Sequence, residues 1–364
     1  MNRFFRIYIV PGAVIQSVMV GGGYGTGREI VEFFTSYGAL GGVLGICVAF
    51  VVLAIVTSMT FEFARVFRAY DYRHFFKRLL GPAWVAYEVL IVLLFLLILA
   101  VLASAAGNIL KDNFGIPYVA GLLIMLLVVG VLTFFGRKLI TAALTFWSFL
   151  LYAVFLVFLI VVFSSESYSL TTVFQTKETV SGWWWSGLQY AGYNLAVIPL
   201  LLYVIRDFET RNEAVFSGVA AATIALIPAL MFQFAFAAAL PDVLDQAIPV
   251  YWMIGQLGFR SFLIFYTVML FGTFIETGAG ILQGINERID GYLEDSRGAN
   301  LSPTSRAAIA VSAVLISAGL SLIGITDLIA NGYGMLAWGF LVAYVIPLMT
   351  VGVYRLSREY GTNR

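Results

Sequence analysis

The chain has 364 residues, of which 61% are hydrophobic and 11% charged, with a formal net charge of +1. Soluble domains carry about 25% charged residues, and so few charges cannot cover a globular surface of this size. One histidine, His74, and one cysteine, Cys47, exclude zinc sites built from these residues, an intrachain disulfide and a serine triad, because His74 lies in a basic loop; 21 basic against 20 acidic residues leave no nucleic-acid footprint.

The apolar residues come in long runs instead of alternating, which predicts an all-α membrane protein and not a barrel. Ten runs are long enough to span a bilayer: 8–36, 40–64, 83–110, 118–135, 140–163, 183–205, 213–239, 259–288, 306–324 and 330–354. Arg3 and Arg6 precede the first run as in a signal peptide, but no A-x-A-like site follows. With the N-terminus in the cytoplasm, 17 of the 21 basic residues fall inside, and only Arg28, Lys111, Lys177 and Arg260 fall outside. The positive-inside rule then places both termini in the cytoplasm.

Span one contains Val20, Gly21, Gly22, Gly23, Tyr24, Gly25, Thr26 and Gly27. Each glycine costs a helix about 1 kcal/mol relative to alanine, so this density predicts an interruption. Broken helix persists in lipid only against protein or a water-filled cavity, so the break marks a site. Its freed N–H groups and the renewed helix start favour an anion such as a carboxylate. Gly21, Gly23, Tyr24, Gly25, Thr26 and Gly27 are therefore candidate substrate-binding residues; close packing of small residues is the alternative. Arg28, Glu29 and Glu32 follow roughly 9–15 Å beyond the break at 1.5 Å per residue. They read as an outer gate, or as a structural salt bridge in the outer vestibule.

Residues 67–82 mix aromatic and basic side chains and suit a short helix lying on the inner leaflet. Span six has its own weak point. Gly192 loosens it, and Pro199 removes a hydrogen bond to the Leu195 carbonyl. Tyr193, Asn194 and the freed backbone near Ala196 are candidate substrate contacts. Span six is span one plus five, and interruptions at corresponding positions of two halves point to a transporter site. Ten spans then read as 1–163 and 164–364, inverted because five is odd. The loop 240–258 reads as a lid. In span eight, Glu276 stands near mid-membrane with Thr273 and Thr277 alongside. A carboxylate there costs about 2.5–3.5 kcal/mol on insertion scales, so it must face a cavity or a cation, or be neutral and hydrogen-bonded between helices. Residues 289–305 read as a plain cytoplasmic linker.

The run Gly21–Gly22–Gly23–Tyr24–Gly25–Thr26–Gly27–Arg28–Glu29–Ile30, followed by Phe33 and Phe34, resembles the glycine-rich first-helix signature of the YkvI-like bacterial membrane proteins. That family looks like a branch of the LeuT-fold, amino acid–polyamine–organocation superfamily. The resemblance implies a LeuT-like 5+5 inverted repeat, spans one and six unwound at the substrate, and span eight against span one at a cation site. Two positions of that cation site fall on Glu276 and Thr277, where a glutamate departs from the small or hydroxyl-bearing residues usual in sodium-coupled members. The span-five lysine of some proton-coupled members has no counterpart in 140–163.

The expectation is a non-enzymatic, symporter-like permease of the bacterial cytoplasmic (inner) membrane. Its substrate is expected to be a small amino acid or a related zwitterion or carboxylate. A proton or sodium ion would couple at Glu276, Thr273 and Thr277, with no other metal or cofactor. The partners are the lipid bilayer and the small-molecule substrate, with the oligomeric state open. A non-transporting receptor or sensor with a permease fold and an ion channel are the alternatives. No ATP-binding motif is present to support primary transport.

Overall fold

With no water in the bilayer core, the protein must satisfy its own backbone polar groups, which makes long apolar helices the solution for this composition. The computed structural model describes residues 2–135, 137–165, 168–169, 173, 179–297 and 301–362; Lys177 and Arg364, assigned above to the outer and inner sides, lie outside the described residues. Among the described residues every regular element is helical. Six helices are long and apolar enough to cross a membrane, or seven when one bent pair is counted as a span. The chain is a multi-pass membrane protein.

The first run comprises α1 (Val10–Met19), α2 (Gly22–Thr26) and α3 (Arg28–Phe33). Then follow α4 (Ala39–Val66), α5 (Tyr72–Leu80), α6 (Val85–Phe114), α7 (Tyr118–Phe135) and α8 (Arg137–Ser164). After these come α9 (Trp183–Leu195), a 3-10 segment Ile198–Ile205, and α10 (Arg211–Ala237). Next are α11 (Pro249–Gln256), α12 (Arg260–Arg297) and α13 (Pro303–Ser321). The last helical run, α14 (Ile325–Gly361), includes π-helical stretches at Leu328–Tyr333, Leu341–Val345 and Leu348–Gly352.

Small residues let the central helices approach. A Cβ on Gly218 of α10 would lie 2.5 Å from the Ser58 backbone nitrogen of α4. Likewise, a Cβ on Gly187 of α9 would lie 2.3 Å from the Gly45 carbonyl oxygen. Lipid tails are as apolar as the helix faces, so such close packing is what associates helices in a bilayer. Gln233 of α10 donates to the carbonyls of Gly38 and Ala39 and accepts from Thr35, fastening α10 to the start of α4.

Two segments differ from the sequence reading. The amphipathic helix forms as α5, with Asp71 accepting the His74 N–H at its start. Its apolar face, however, packs on protein: Phe75 meets Phe63, and Phe76 stacks on Tyr87 at 3.8 Å. Only its basic side, His74, Lys77 and Arg78, is exposed. Residues 289–297, read as linker, continue α12. Asp290 accepts the Leu301 N–H and pairs with Arg306 of α13, so the polar extension is held by its own contacts.

The two termini share one face. Arg3 pairs with Glu209 and Glu213, Arg6 with Asp207, and Arg65 with Glu62, while Tyr360 donates to Glu62.

Candidate substrate site

The glycine-rich segment leaves the helical path twice. Val20 and Gly21 break the ladder after Met19, Gly21 being extended (φ −94°, ψ −163°). Gly27 is left-handed (φ +82°), a conformation that favours glycine. Thr26 fastens the turn: its hydroxyl donates to the Gly23 carbonyl at 2.7 Å and accepts the Arg28 N–H at 3.3 Å. The Gly25 carbonyl accepts from Tyr266 of α12 at 2.6 Å. Across the core, α9 and the Ile198–Ile205 segment meet at 59°. The Ala196 carbonyl between them accepts from Tyr87 at 2.7 Å.

Because Gly27 redirects the chain, Glu29 in the first turn of α3 turns back towards the break. It is 4% exposed. Its Oε2 accepts from the Tyr193 hydroxyl at 2.6 Å. A Cβ on Gly23 would lie 2.4 Å from Glu29 Oε1. The Glu29 carboxyl therefore lies against the glycine break. A cavity of about 30 Å³ opens beside it, walled by Gly21, Glu29, Tyr193, Asn194 and Tyr333, with Met19 and Leu94 among the apolar residues. A single water needs about 10–15 Å³ by this measure, so the cavity takes only a few atoms. Tyr333 stacks on Tyr193 with ring centroids 4.7 Å apart.

Of the candidate substrate residues, Gly21, Tyr193 and Asn194 line this cavity. Gly23 makes room for Glu29. Gly25, Thr26 and Gly27 shape the backbone. Tyr24 is fully buried against Phe232, and its hydroxyl lies beside that of Tyr190 without completing a hydrogen bond. Ala196 is not part of the wall.

The three gate candidates separate. Glu29 joins the cavity, away from the mouth where sequence distance puts it. Arg28 pairs with Glu32 at 2.8 Å and donates to the carbonyls of Leu244 and Gln246 at 2.7 and 3.1 Å. That contact ties the first run to the loop 240–258, where α11 buries Val250, Met253 and Ile254.

The coupling candidates sit on α12, which runs along the break. Leu270 would lie 2.6 Å from a Cβ on Gly25, and the Thr277 methyl 3.8 Å from one on Gly21. Thr273 donates to the Met269 carbonyl at 3.1 Å. Glu276 is half-buried, is not part of the cavity wall, and has no hydrogen-bond or ion-pair partner among the described residues. Among the described residues no cluster of three or more His, Cys, Asp or Glu side chains could hold a metal.

Tyr333 escaped the sequence reading. A signal was available: Gly332–Tyr333–Gly334 repeats the Gly23–Tyr24–Gly25 pattern inside an apolar run. It ends a π-helical stretch, and such stretches gather at functional sites.

The fold is shared with solved transporters of low sequence identity. Mhp1, a nucleobase-cation-symport-1 family transporter, in a closed conformation with bromovinylhydantoin bound, aligns over 93% of this chain and 76% of its own, with a TM-score of 0.62 at 13% identity. A Na+-coupled sialic acid symporter in a substrate-bound outward-open state aligns over 92% and 78%, with a TM-score of 0.61 at 16% identity. A manganese transporter from Eremococcus coleocola aligns over 96% and 80%, with a TM-score of 0.54 at 14% identity. In sequence the chain is similar to the uncharacterised membrane protein YkvI of Bacillus subtilis (strain 168), at 24% identity over 289 residues, 77% of this chain and 80% of that protein. No protein-family profile matches the chain.

Proposed function

We propose that this protein is a secondary active transporter, symporter-like, for a small organic solute, driven by a proton or sodium gradient across the bacterial inner membrane. The observation that carries the reading is the small cavity at the interruption of the first helical run, where Glu29, Tyr193 and Asn194 bring polar groups to an otherwise apolar wall. Buried polar side chains within membrane helices are costly and mark transport paths. The fold shared with symporters supports the same reading.

The bent pair Trp183–Ile205, the six long apolar helices and the shorter apolar helices Phe5–Met19, Tyr118–Val131 and Tyr152–Ser164 support ten spans in a 5+5 arrangement. The glycine break alone favours a small amino acid or a related zwitterion or carboxylate. For the driving ion, Glu276 with Thr273 and Thr277 is the proposed coupling group, on the helix that packs against the break. Arg28 and Glu32 form the proposed outer gate. The test is uptake into proteoliposomes under imposed proton or sodium gradients, wild type against Gly25→Leu, whose side chain would meet Leu270. Loss of uptake by a folded, inserted Gly25→Leu protein is expected. Uptake equal to wild type contradicts the site.

A further inference from the structure

A carboxylate buried among apolar helices is stable when it is paired or fully hydrogen-bonded. Glu29 receives the Tyr193 hydroxyl, but among the described residues no basic side chain pairs with it. Its neighbour Arg28 is committed to Glu32 and two loop carbonyls. The carboxylate faces a cavity whose wall includes the stacked rings of Tyr193 and Tyr333 and the amide of Asn194. Beside it lie the fully buried hydroxyls of Tyr24 and Tyr190, neither with a hydrogen-bond partner among the described residues. A buried carboxylate with no basic partner, held by a tyrosine hydroxyl at a cavity wall, is receptor chemistry for an ammonium group through a charge-assisted ion pair. The same carboxylate lies against the break where a substrate carboxylate would otherwise bind, and it repels one.

We propose that the solute of this site is a small organic cation, an amine without a free carboxylate, whose ammonium group pairs with Glu29 beside the Tyr193 and Tyr333 rings. This rests on the cavity at the helix break being the substrate site. Asn194 supplies polar contact, and the apolar wall at Met19 and Leu94 takes the carbon chain.

Three probes of similar size and different charge test the proposal: propylammonium, alanine and propionate. Thermal unfolding of the purified full-length protein is followed with each, at constant ionic strength and in sodium-free buffer, and once with sodium alone. Propylammonium is expected to raise the unfolding midpoint saturably, propionate not at all, and alanine less than propylammonium. Glu29→Gln is expected to abolish the propylammonium response, and Glu29→Asp to keep a weaker one. If Glu29→Gln does not fold, Tyr193→Phe, which keeps the carboxylate, is expected to retain the preference for the cation.

A larger response to alanine or propionate overturns the proposal, as do a wild-type response from Glu29→Gln and no response to propylammonium. A sodium response that depends on Glu29, with none to propylammonium, assigns the carboxylate to an inorganic cation and also overturns it. A saturable, Glu29-dependent propylammonium response without uptake into proteoliposomes upholds the ammonium site while removing the transport reading. Propionate uptake that survives Glu29→Gln overturns the ammonium site while leaving transport intact.

Discussion

Glu29 and Glu276 both stand in apolar helices of this protein, and their surroundings are opposite. Glu29 is 4% exposed, hydrogen-bonded to Tyr193 and part of a cavity wall. Glu276 is half-buried and without a hydrogen-bond or ion-pair partner among the described residues. Sequence position ranks them the other way, because Glu276 stands at mid-span while Glu29 lies beyond a break. The difference lies in the backbone. An unbroken helix carries Glu276 where helical periodicity sends it, whereas the left-handed Gly27 starts a new helix and turns Glu29 back onto Gly23. A break in a membrane helix relocates the residues that follow it.

The sharpest way to break this contrast is to neutralise each carboxyl in turn. Glu29→Gln is expected to weaken solute binding about 100-fold, since truncating one member of a buried charge pair costs about 2–5 kcal/mol and about 1.4 kcal/mol is tenfold. Equilibrium binding of the amine probe checks this. Glu276→Gln is expected to leave binding and exchange in place while removing gradient-driven accumulation, measured in proteoliposomes. Equal effects from both variants would erase the distinction between a substrate group and a coupling group.

Gly187→Ala tests packing away from both carboxyls. Its methyl would meet the Gly45 carbonyl, a backbone atom that cannot swing aside. A loss of about 1–3 kcal/mol is expected from such overpacking, read as a lower unfolding midpoint, with amine selectivity kept in the folded fraction. Arg28→Gln is expected to act at the gate alone. Releasing the Leu244 and Gln246 carbonyls should raise the labelling rate of a cysteine placed at Gln246, with little change in binding at Glu29. The smallest effect is expected from Thr210→Ala, which removes the reciprocal cap with Glu213 at the start of α10. About 1 kcal/mol of stability is typical of such a cap, and thermal unfolding measures it.

Much of the helical plan was legible in the sequence, because a bilayer leaves few solutions for a chain so apolar. The interruption at 20–27 was legible for a related reason: five glycines in seven positions weaken a helix whatever surrounds them. The direction of Glu29 was not legible, since it depends on one positive φ at Gly27 and on Tyr193 across the core. Tyr333 is far from the break in sequence and reaches the cavity through the packing of α14. The extension of α12 through 289–297 was missed because polar composition reads as loop until Asp290 and Arg306 are seen to pair. The backbone near Ala196 read as freed for a substrate, and only the fold brings the Tyr87 hydroxyl to the Ala196 carbonyl.

The most direct test of the central claim is counterflow of labelled propylammonium in proteoliposomes without an ion gradient, comparing wild type, Glu29→Gln and Glu276→Gln. Exchange reports solute binding and passage without demanding coupling. Robust exchange by wild type and Glu276→Gln, with none by Glu29→Gln, is the predicted result. Exchange by Glu29→Gln at the wild-type rate, with loss in Glu276→Gln, would contradict the account and move the substrate site from the glycine break to α12.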